Sequence, residues 1–360
     1  MGLNVPIWSE NILTPFPRPD PSPQGLKMLR QICRKQVESN EVYSVTFSEI
    51  LCPEGKNNLF TLKPYFWEVE PGRWVCDKPK GQKQLESCSM AIHSLALGAV
   101  YLLEMKDACV KQLERLLTVF FIDPETRMVP EVWYSQCKPG SKPLRGDYAF
   151  VIALRYIILI DQAMRMASDY LRKDIVEVVA QWIATQEHWM KTSEQGAAIR
   201  KYEDNKGLKT NPLKIASHLS FIVPIEGRKY AQSFFNHYVF SRSPVKYFER
   251  DLKRTRPRHY TLFALEPLFI IAEFTLDSSR QLDRKIGQCM RDLLEFAKNV
   301  QPGEMEKPLE EEGRYEGQWQ WYERMMAAWT GEGQRGGEEV NGKAWEAGFT
   351  QRMRMLWGFI

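Results

Sequence analysis

The sequence predicts an all-α protein, an (α/α) toroid in the sense of an incomplete α/α barrel of stacked antiparallel helical hairpins. Helix-like segments follow one another through most of the 360 residues. Segments that are apolar nearly all round alternate with segments that have a wide polar face, as inner and outer helices do. Strand-like alternation is limited to the short stretches 42–47 and 73–76.

Each predicted helix follows from the spacing of its apolar residues. In 84–105 and 108–121 these residues recur at intervals of three and four, which is the period of an amphipathic helix. The segment 148–167 is apolar nearly all round and is predicted to be an inner, buried helix. The segment 172–190 has the polar face of an outer helix. Further helices are predicted over 214–222, 227–241, 259–276 and 280–299.

Changes in composition divide the chain into three regions. Residues 1–24 are rich in proline and are predicted to form an extended arm. Residues 25–301 form the predicted toroid domain. Residues 302–360 begin with an acidic, turn-rich stretch and continue with tryptophan-bearing helices, which predicts a C-terminal extension packed on the toroid. Loops of a helical toroid collect at one end, where function usually lies. The predicted loops are 59–83, 122–147, 203–212 and 242–258.

Composition and charge exclude several classes of protein. The hydrophobic share of 44% and the charged share of 26% are ordinary for a soluble globular protein. A net charge of +4 is too small to indicate nucleic acid or a membrane surface as a partner. The seven cysteines are scattered without a CxxC pair, which argues against a disulfide framework or a zinc site. With no signal-peptide pattern, these features predict a cytoplasmic protein without cofactor or metal. The sequence does not determine its oligomeric state.

Three loop segments contain motifs. They are "LKPYFWEVEPG" (62–72), "FIDPETRMVPEVWYSQCKPG" (121–140) and "DLKRTRPRHYTLFALEPL" (251–268). In that order they resemble the segments "LxPYWWPDP", "FLDPxTRMNPxLxYAQxxPG" and "ELARTRSxHYSLFNLEAL" of the alginate-lyase-like polysaccharide lyases. The resemblance covers roughly residues 57–275, and it implies the (α/α) toroid that the helix pattern also predicts.

A fourth motif of that family, "NNHG", is changed in this chain. The matching residues are "DNKG" (204–207), which begin eight residues after Gly196. In this alignment Asn205 and the final glycine are kept, Asp204 replaces the first asparagine, and Lys206 replaces the histidine. The exchange preserves a positive charge but removes the imidazole, so the inherited reaction is less certain to persist than the fold.

The resemblance implies chemistry on a uronate, in which a proton is abstracted alpha to a carboxylate and the C4 oxygen leaves. Asn205 would then donate hydrogen bonds to the carboxylate or oxyanion. Tyr260 would act as base and acid in turn, with Arg256 favouring its ionised form and Arg254 binding substrate. Lys206 would supply a positive charge or, when desolvated, a base.

Further substrate contacts are predicted for Gln136 and Tyr134 in the second motif segment, for Trp67 in the first, and for His259. Each has a structural alternative. Trp67 stacks on a ring-shaped ligand or packs in the core. Tyr260 lines the pocket or is a core tyrosine, and His259 beside it contacts substrate or only packs.

Three functions remain open from the sequence. The first is an enzyme acting on a small molecule by elimination or cyclisation, possibly a Diels–Alder-type ring closure in specialised metabolism. The exchanged histidine and the absence of a secretion signal favour it. The alternative is a polysaccharide lyase that cleaves a uronate polymer by β-elimination, which the motif segments favour. A third is an inactive binding protein, against which the retained Asn205, Arg254, Arg256 and Tyr260 argue.

Overall fold

The computed structural model divides the chain into two compact units. One comprises Met1–Lys201 with Met355–Ile360, and the other comprises Tyr202–Arg354. The predicted division into an arm, a toroid domain and an extension stays a prediction. The structure describes residues 23–62, 67–70, 73–75, 82–138, 140–146, 149–198, 228–253, 257–277, 279, 281–300 and 316–331.

The described part of the first unit is mainly helical, as the sequence predicts. Its α-helices are α1 (Pro23–Ser39), α2 (Gln82–Tyr101), α3 (Lys106–Leu117), α4 (Phe150–Leu154), α5 (Ile157–Ala167) and α6 (Lys173–Thr192). The predicted inner helix 148–167 is therefore interrupted between α4 and α5. A π-helical segment, Thr118–Ile122, continues α3, and the Asp123 N–H donates to the carbonyl of Thr118 at 2.9 Å.

Helix α2 forms the centre of the first unit and packs against α1, α3 and α5. Most of its apolar residues are buried, including those in the unbroken buried run from Ala91 to Ala99, which explains why its apolar face is broad. Gly98 in α2 allows a close approach of two neighbouring helices. A Cβ at this position would lie 2.6 Å from Cys33 Sγ of α1 and 2.8 Å from Cys109 Sγ of α3. Both cysteines are buried free thiols.

Only one of the two predicted strand stretches is a strand. Residues Arg73–Val75 form β2, which pairs antiparallel with β1 (Trp67–Glu70). The prediction for 42–47 is wrong, because Val45–Phe47 form a 3-10 helix. Ser44 caps this helix by accepting a hydrogen bond from the N–H of Thr46 at 3.0 Å, a local interaction that competes with an extended backbone.

The described part of the second unit is also helical. Its elements are α7 (Arg228–Phe234), the π-helical segment Phe235–Val239, α8 (Pro244–Leu252), α9 (Pro257–Glu273), α10 (Arg284–Lys298) and α11 (Glu316–Thr330). Helix α8 packs on α9 and α10, and α10 packs on α11. Helix α9 is buried along nearly its whole length, so it is the core helix of this unit.

Helix α8 lies where the sequence analysis predicts a loop, and that prediction is wrong. Ser243 caps the helix by accepting from the N–H of Lys246, and Pro244 occupies a first-turn position that suits proline. The helix also buries Tyr247 and Phe248. A nine-residue helix with a single apolar face is short enough to be missed between charged residues.

In the part of the chain that the structure describes, no single helix has the length and apolarity to cross a membrane. The consecutive segments Lys83–Tyr101 and Leu103–Ile122 pass that test only when taken together, and they meet at a bend of 117°.

Candidate functional site

The second motif segment begins with a tight turn. The Asp123 carbonyl accepts from the N–H groups of Thr126 at 3.0 Å and Arg127 at 2.7 Å. Its side chain accepts from the N–H of Glu125 at 2.9 Å. An aspartate that satisfies its own turn in this way is favoured by local geometry. At this position the motif residue Asp123 therefore has a structural role, which is to hold the turn.

The turn is tied to the helices around it. The Met128 N–H donates to the Phe120 carbonyl at 2.9 Å, and the Met128 carbonyl accepts from Trp182 Nε1 at 2.8 Å. Asn57 reaches over from the preceding loop, where its Nδ2 donates to the Arg127 carbonyl at 2.6 Å. Hydrogen bonds with Phe120, Trp182 and Asn57 thus fix the backbone at Arg127 and Met128, and with it the position of the residues that follow.

Thr61 anchors the next part of the segment. Its N–H donates to the Tyr134 carbonyl at 3.2 Å, and its carbonyl accepts from the Cys137 N–H at 2.9 Å. Its hydroxyl Oγ1 accepts from the Gln136 N–H at 2.8 Å and lies 3.1 Å from Ser135 Oγ. One threonine thereby fixes four consecutive residues.

Gln136, predicted to contact substrate, is held in an unusual conformation. Its φ of 61° lies in the left-handed region, which is uncommon for residues other than glycine and asparagine. Its side chain is only 5% exposed, and Nε2 lies 3.4 Å from Thr61 Oγ1. Such strain persists where the surroundings over-determine the backbone, and it is concentrated at functional sites.

The residues from 132 to 146, which we call the 132–146 loop, close on themselves at Gly146. Its N–H donates to the Trp133 carbonyl at 2.8 Å. A Cβ on Gly146 would lie 1.8 Å from the Ser135 carbonyl oxygen, so no other residue fits without moving the backbone.

An arginine lies over two aromatic rings of this loop. The Arg145 guanidinium carbon lies 5.0 Å from the Trp133 ring centroid and 5.4 Å from that of Tyr134. Both rings are half-buried, and Arg145 is exposed. Behind the loop, the Trp189 ring of α6 meets Trp133 edge-on at 5.2 Å and Phe150 at 5.0 Å. The arrangement is a fixed aromatic surface with an accessible cation on it.

Polar atoms without protein partners lie next to this surface. Gln186 is fully buried on α6, one turn from both Trp182 and Trp189, and neither of its amide atoms has a hydrogen-bond partner among the described residues. The indole N–H of Trp189 is also buried without one. Buried groups left unsatisfied are costly and need an explanation. The sequence analysis missed Gln186, since a single glutamine in an amphipathic helix carries no signal.

In the second unit, Tyr260 and His259 lie in the first turn of α9. Tyr260 is 7% exposed, and His259 is half-buried. Their rings meet edge-on at 5.1 Å, and the His259 ring stacks on Phe263 at 6.1 Å. His259 therefore packs against its own helix, as its structural alternative predicts, and a substrate contact stays a prediction.

A second buried tyrosine lies on α8. The Tyr247 hydroxyl is fully buried, and no residue in the described part of the chain hydrogen-bonds to it. Burial, and then the nearby Asp251 carboxylate, raise the pKa of this phenol well above its usual value. Tyr247 thus stays protonated at any ordinary pH, and its position one turn from Asp251 makes it a neutral core residue.

The structure brings only part of the predicted site into view. Asn205, Lys206, Arg254 and Arg256 lie outside the described residues. Trp67 begins strand β1, opposite Val75. Among the described residues, no group of three or more histidines, cysteines, aspartates or glutamates could hold a metal ion.

Comparisons with known proteins identify the family through a sequence model and the fold through a solved structure. The family model for alginate lyase matches residues 69–303, and the chain belongs to the alginate lyase family. The structure matches the crystal structure of an alginate lyase from Bacteroides ovatus with a TM-score of 0.69 and 17% sequence identity, covering 93% of each chain. That match confirms the predicted fold class, the all-α toroid. No curated protein matches the sequence. Family and fold together support a lyase-type activity on a polysaccharide.

Proposed function

We propose that this chain is a lyase that cleaves a uronate-containing polysaccharide by β-elimination. The 132–146 loop is the observation that carries the proposal. Its aromatic rings suit the apolar face of a sugar. The exposed Arg145 above them suits the carboxylate of an acidic sugar, because a guanidinium can bind a carboxylate through two parallel hydrogen bonds.

The reaction needs a base, an acid and a group that neutralises the carboxylate. A base removes the proton at C5, the electron pair forms the C4–C5 double bond, and the C4–O bond breaks as the leaving oxygen gains a proton. We assign the base and the acid to Tyr260, which lies in the first turn of α9 and is 7% exposed. Asn205, Lys206 and Arg256 are the proposed partners that stabilise the developing charge.

A small-molecule reaction is the second candidate. Lys206 in place of the family's histidine favours it, because a flexible ammonium differs from an imidazole in reach and in ordinary pKa. The reaction would be an elimination or a cyclisation in specialised metabolism, carried out in the cytoplasm. An inactive binding protein is the remaining alternative, and the aromatic and basic character of the 132–146 loop would suit that role as well.

One assay separates the uronate lyase from the other two candidates. The purified protein is incubated with alginate and, separately, with glucuronan, and the ultraviolet absorbance of the unsaturated uronate product is followed. We expect product from at least one polymer. A flat absorbance with both polymers, under conditions where a known lyase is active, would reject the uronate lyase proposal.

Two variants then test the residue assignments. Tyr260→Phe should lower kcat at least about 100-fold, the lower end of what one general acid or base contributes. Lys206→Ala should lower kcat/KM. Tyr170→Phe, a surface tyrosine of the first unit, serves as the matched control and should leave both constants unchanged. If Tyr260→Phe and Lys206→Ala both retain full activity, the assigned site is wrong even where product forms.

A further inference from the structure

The 132–146 loop has an uneven charge. Lys138, Lys142 and Arg145 are its charged residues, and it contains no aspartate or glutamate. All three cations are exposed. Within the part of the chain that the structure describes, none of the three makes an ion pair with a carboxylate. A loop of this kind attracts anions, because no carboxylate among the described residues neutralises it by an ion pair.

Arg145 differs from the two lysines in how it is held. Its guanidinium lies over the rings of Trp133 and Tyr134, and contacts of this kind stabilise a cation through the negative face of the ring. A stacked guanidinium keeps its N–H groups at its edges, where they remain able to bind a carboxylate side by side. Among the residues that the structure describes, no ring makes a comparable contact with Lys138 or Lys142.

The rings below Arg145 cannot shift easily. Trp133 is braced by Trp189, whose ring meets it at 84°, and Trp189 is braced in turn by Phe150. The Trp133 carbonyl is bonded to the N–H of Gly146, the residue directly after Arg145. The cation and the ring therefore keep one relative position before any ligand arrives, which reduces the entropy lost on binding.

We propose that Arg145 and Trp133 form a binding subsite for one acidic sugar of the substrate. Arg145 binds the carboxylate, and the half-buried Trp133 contacts the apolar face of the same ring. Arg145 is thus a substrate-binding residue that selects a uronate over a neutral sugar. The inference deepens the proposed function and rests on it for the identity of the sugar, but the binding step itself involves no chemistry.

Binding is therefore measured without turnover. Oligosaccharides of a uronate are titrated into the protein by calorimetry in the Tyr260→Phe background, and carboxyl-reduced versions of the same oligosaccharides are titrated in parallel. Arg145→Gln should weaken binding of the acidic ligand about 10- to 100-fold, since hydrogen bonds to charged groups are worth about that factor. Binding of the neutral ligand should change less than about 2-fold. Arg145→Lys should recover only part of the loss, because an ammonium cannot bind both oxygens side by side.

Lys142→Gln is the matched control, since it removes the same charge from the same loop, and Lys142 lies over no aromatic ring among the described residues. We expect a loss of less than about 3-fold, of the size that screened surface charge gives. Equal losses for Arg145→Gln and Lys142→Gln would overturn the inference in favour of diffuse attraction. So would unchanged binding in Arg145→Gln, or no binding of acidic oligosaccharides by the parent protein.

The same data separate this inference from the proposed function. If acidic oligosaccharides bind through Arg145 but the unmutated enzyme releases no unsaturated product, the subsite stands and the lyase proposal fails. If product forms while Arg145→Gln binds and turns over normally, the lyase proposal stands and the subsite fails. Arg145 is exposed, so its replacement should leave the thermal unfolding curve unchanged, which confirms that the variant is folded.

Discussion

Replacing the buried amide of Gln186 should make the protein more stable. The side chain is fully buried, and both its Nε2 and its Oε1 lack a protein hydrogen-bond partner. Each buried polar group left in this state costs about 1–3 kcal/mol. Gln186→Met keeps the length and flexibility of the side chain and removes both polar atoms.

The change in the free energy of unfolding has two contributions, the cost of the unsatisfied polar groups and the cost of fitting the new side chain. Two unsatisfied groups at the lower end of the range cost about 2 kcal/mol together. The methionine side chain is somewhat larger in volume than that of glutamine, and fitting it into the packed site offsets about 1 kcal/mol. We therefore expect the free energy of unfolding to rise by about 1–3 kcal/mol, the upper value applying if the two desolvation costs are larger.

Urea unfolding followed by tryptophan fluorescence measures the change, provided that the slope of the transition is the same for both proteins. Gln181→Met is the control on the same helix. Gln181 is exposed, so its replacement should change stability by less than about 0.5 kcal/mol. A loss of more than about 1 kcal/mol in Gln186→Met would refute the reasoning, because it would mean that the amide is hydrogen-bonded in solution.

Three further changes test other parts of the structure. Gly146→Ala would place a Cβ 1.8 Å from a main-chain oxygen of the same loop and so displace the loop. Binding of acidic oligosaccharides should then weaken at least as much as in Arg145→Gln. Unchanged affinity in the same calorimetry would contradict the loop geometry. Gly98→Ala would bring a Cβ to 2.6 Å from Cys33 Sγ and 2.8 Å from Cys109 Sγ, which should cost about 1–3 kcal/mol in urea unfolding, and much less when both cysteines are alanine. Burial raises the pKa of the Tyr43 phenol from 10 to about 12, so the protonated phenol favours the folded state. This contribution to the unfolding free energy is complete below pH 10 and is lost as the pH rises to about 12. Over that range the unfolding free energy of Tyr43→Phe should therefore decline less than that of the parent protein.

The spacing of apolar residues predicts a helix well where one face of the helix, or the whole helix, is buried. The spacing of apolar residues locates α2, α3 and α6 to within a few residues, because the same periodicity determines which face is buried. The prediction of a strand fails at Val45–Phe47. These residues have high strand propensity, but the hydrogen bond that Ser44 makes as an N-cap favours a 3-10 helix.

The candidate site is predictable only in part, for a physical reason. The motif segment locates Tyr134 and Gln136, but the residue that fixes them is Thr61, which is 75 positions before Gln136. Arg145 lies beyond the end of that motif segment, and its importance comes from rings that the backbone folds beneath it. Contacts between residues distant in sequence leave no periodicity to detect.

The π-helical segment Thr118–Ile122 has a consequence for how this chain tolerates changes in length. A single π turn accommodates one residue more than an α-helix would, immediately before the segment that contains the candidate site. Because the wide turn takes up the extra residue, deleting one residue there should convert it into an α turn and leave Trp133 and Gln136 aligned with Thr61. A second deletion would have no wide turn to absorb it and would rotate the following chain by about 100° relative to α3.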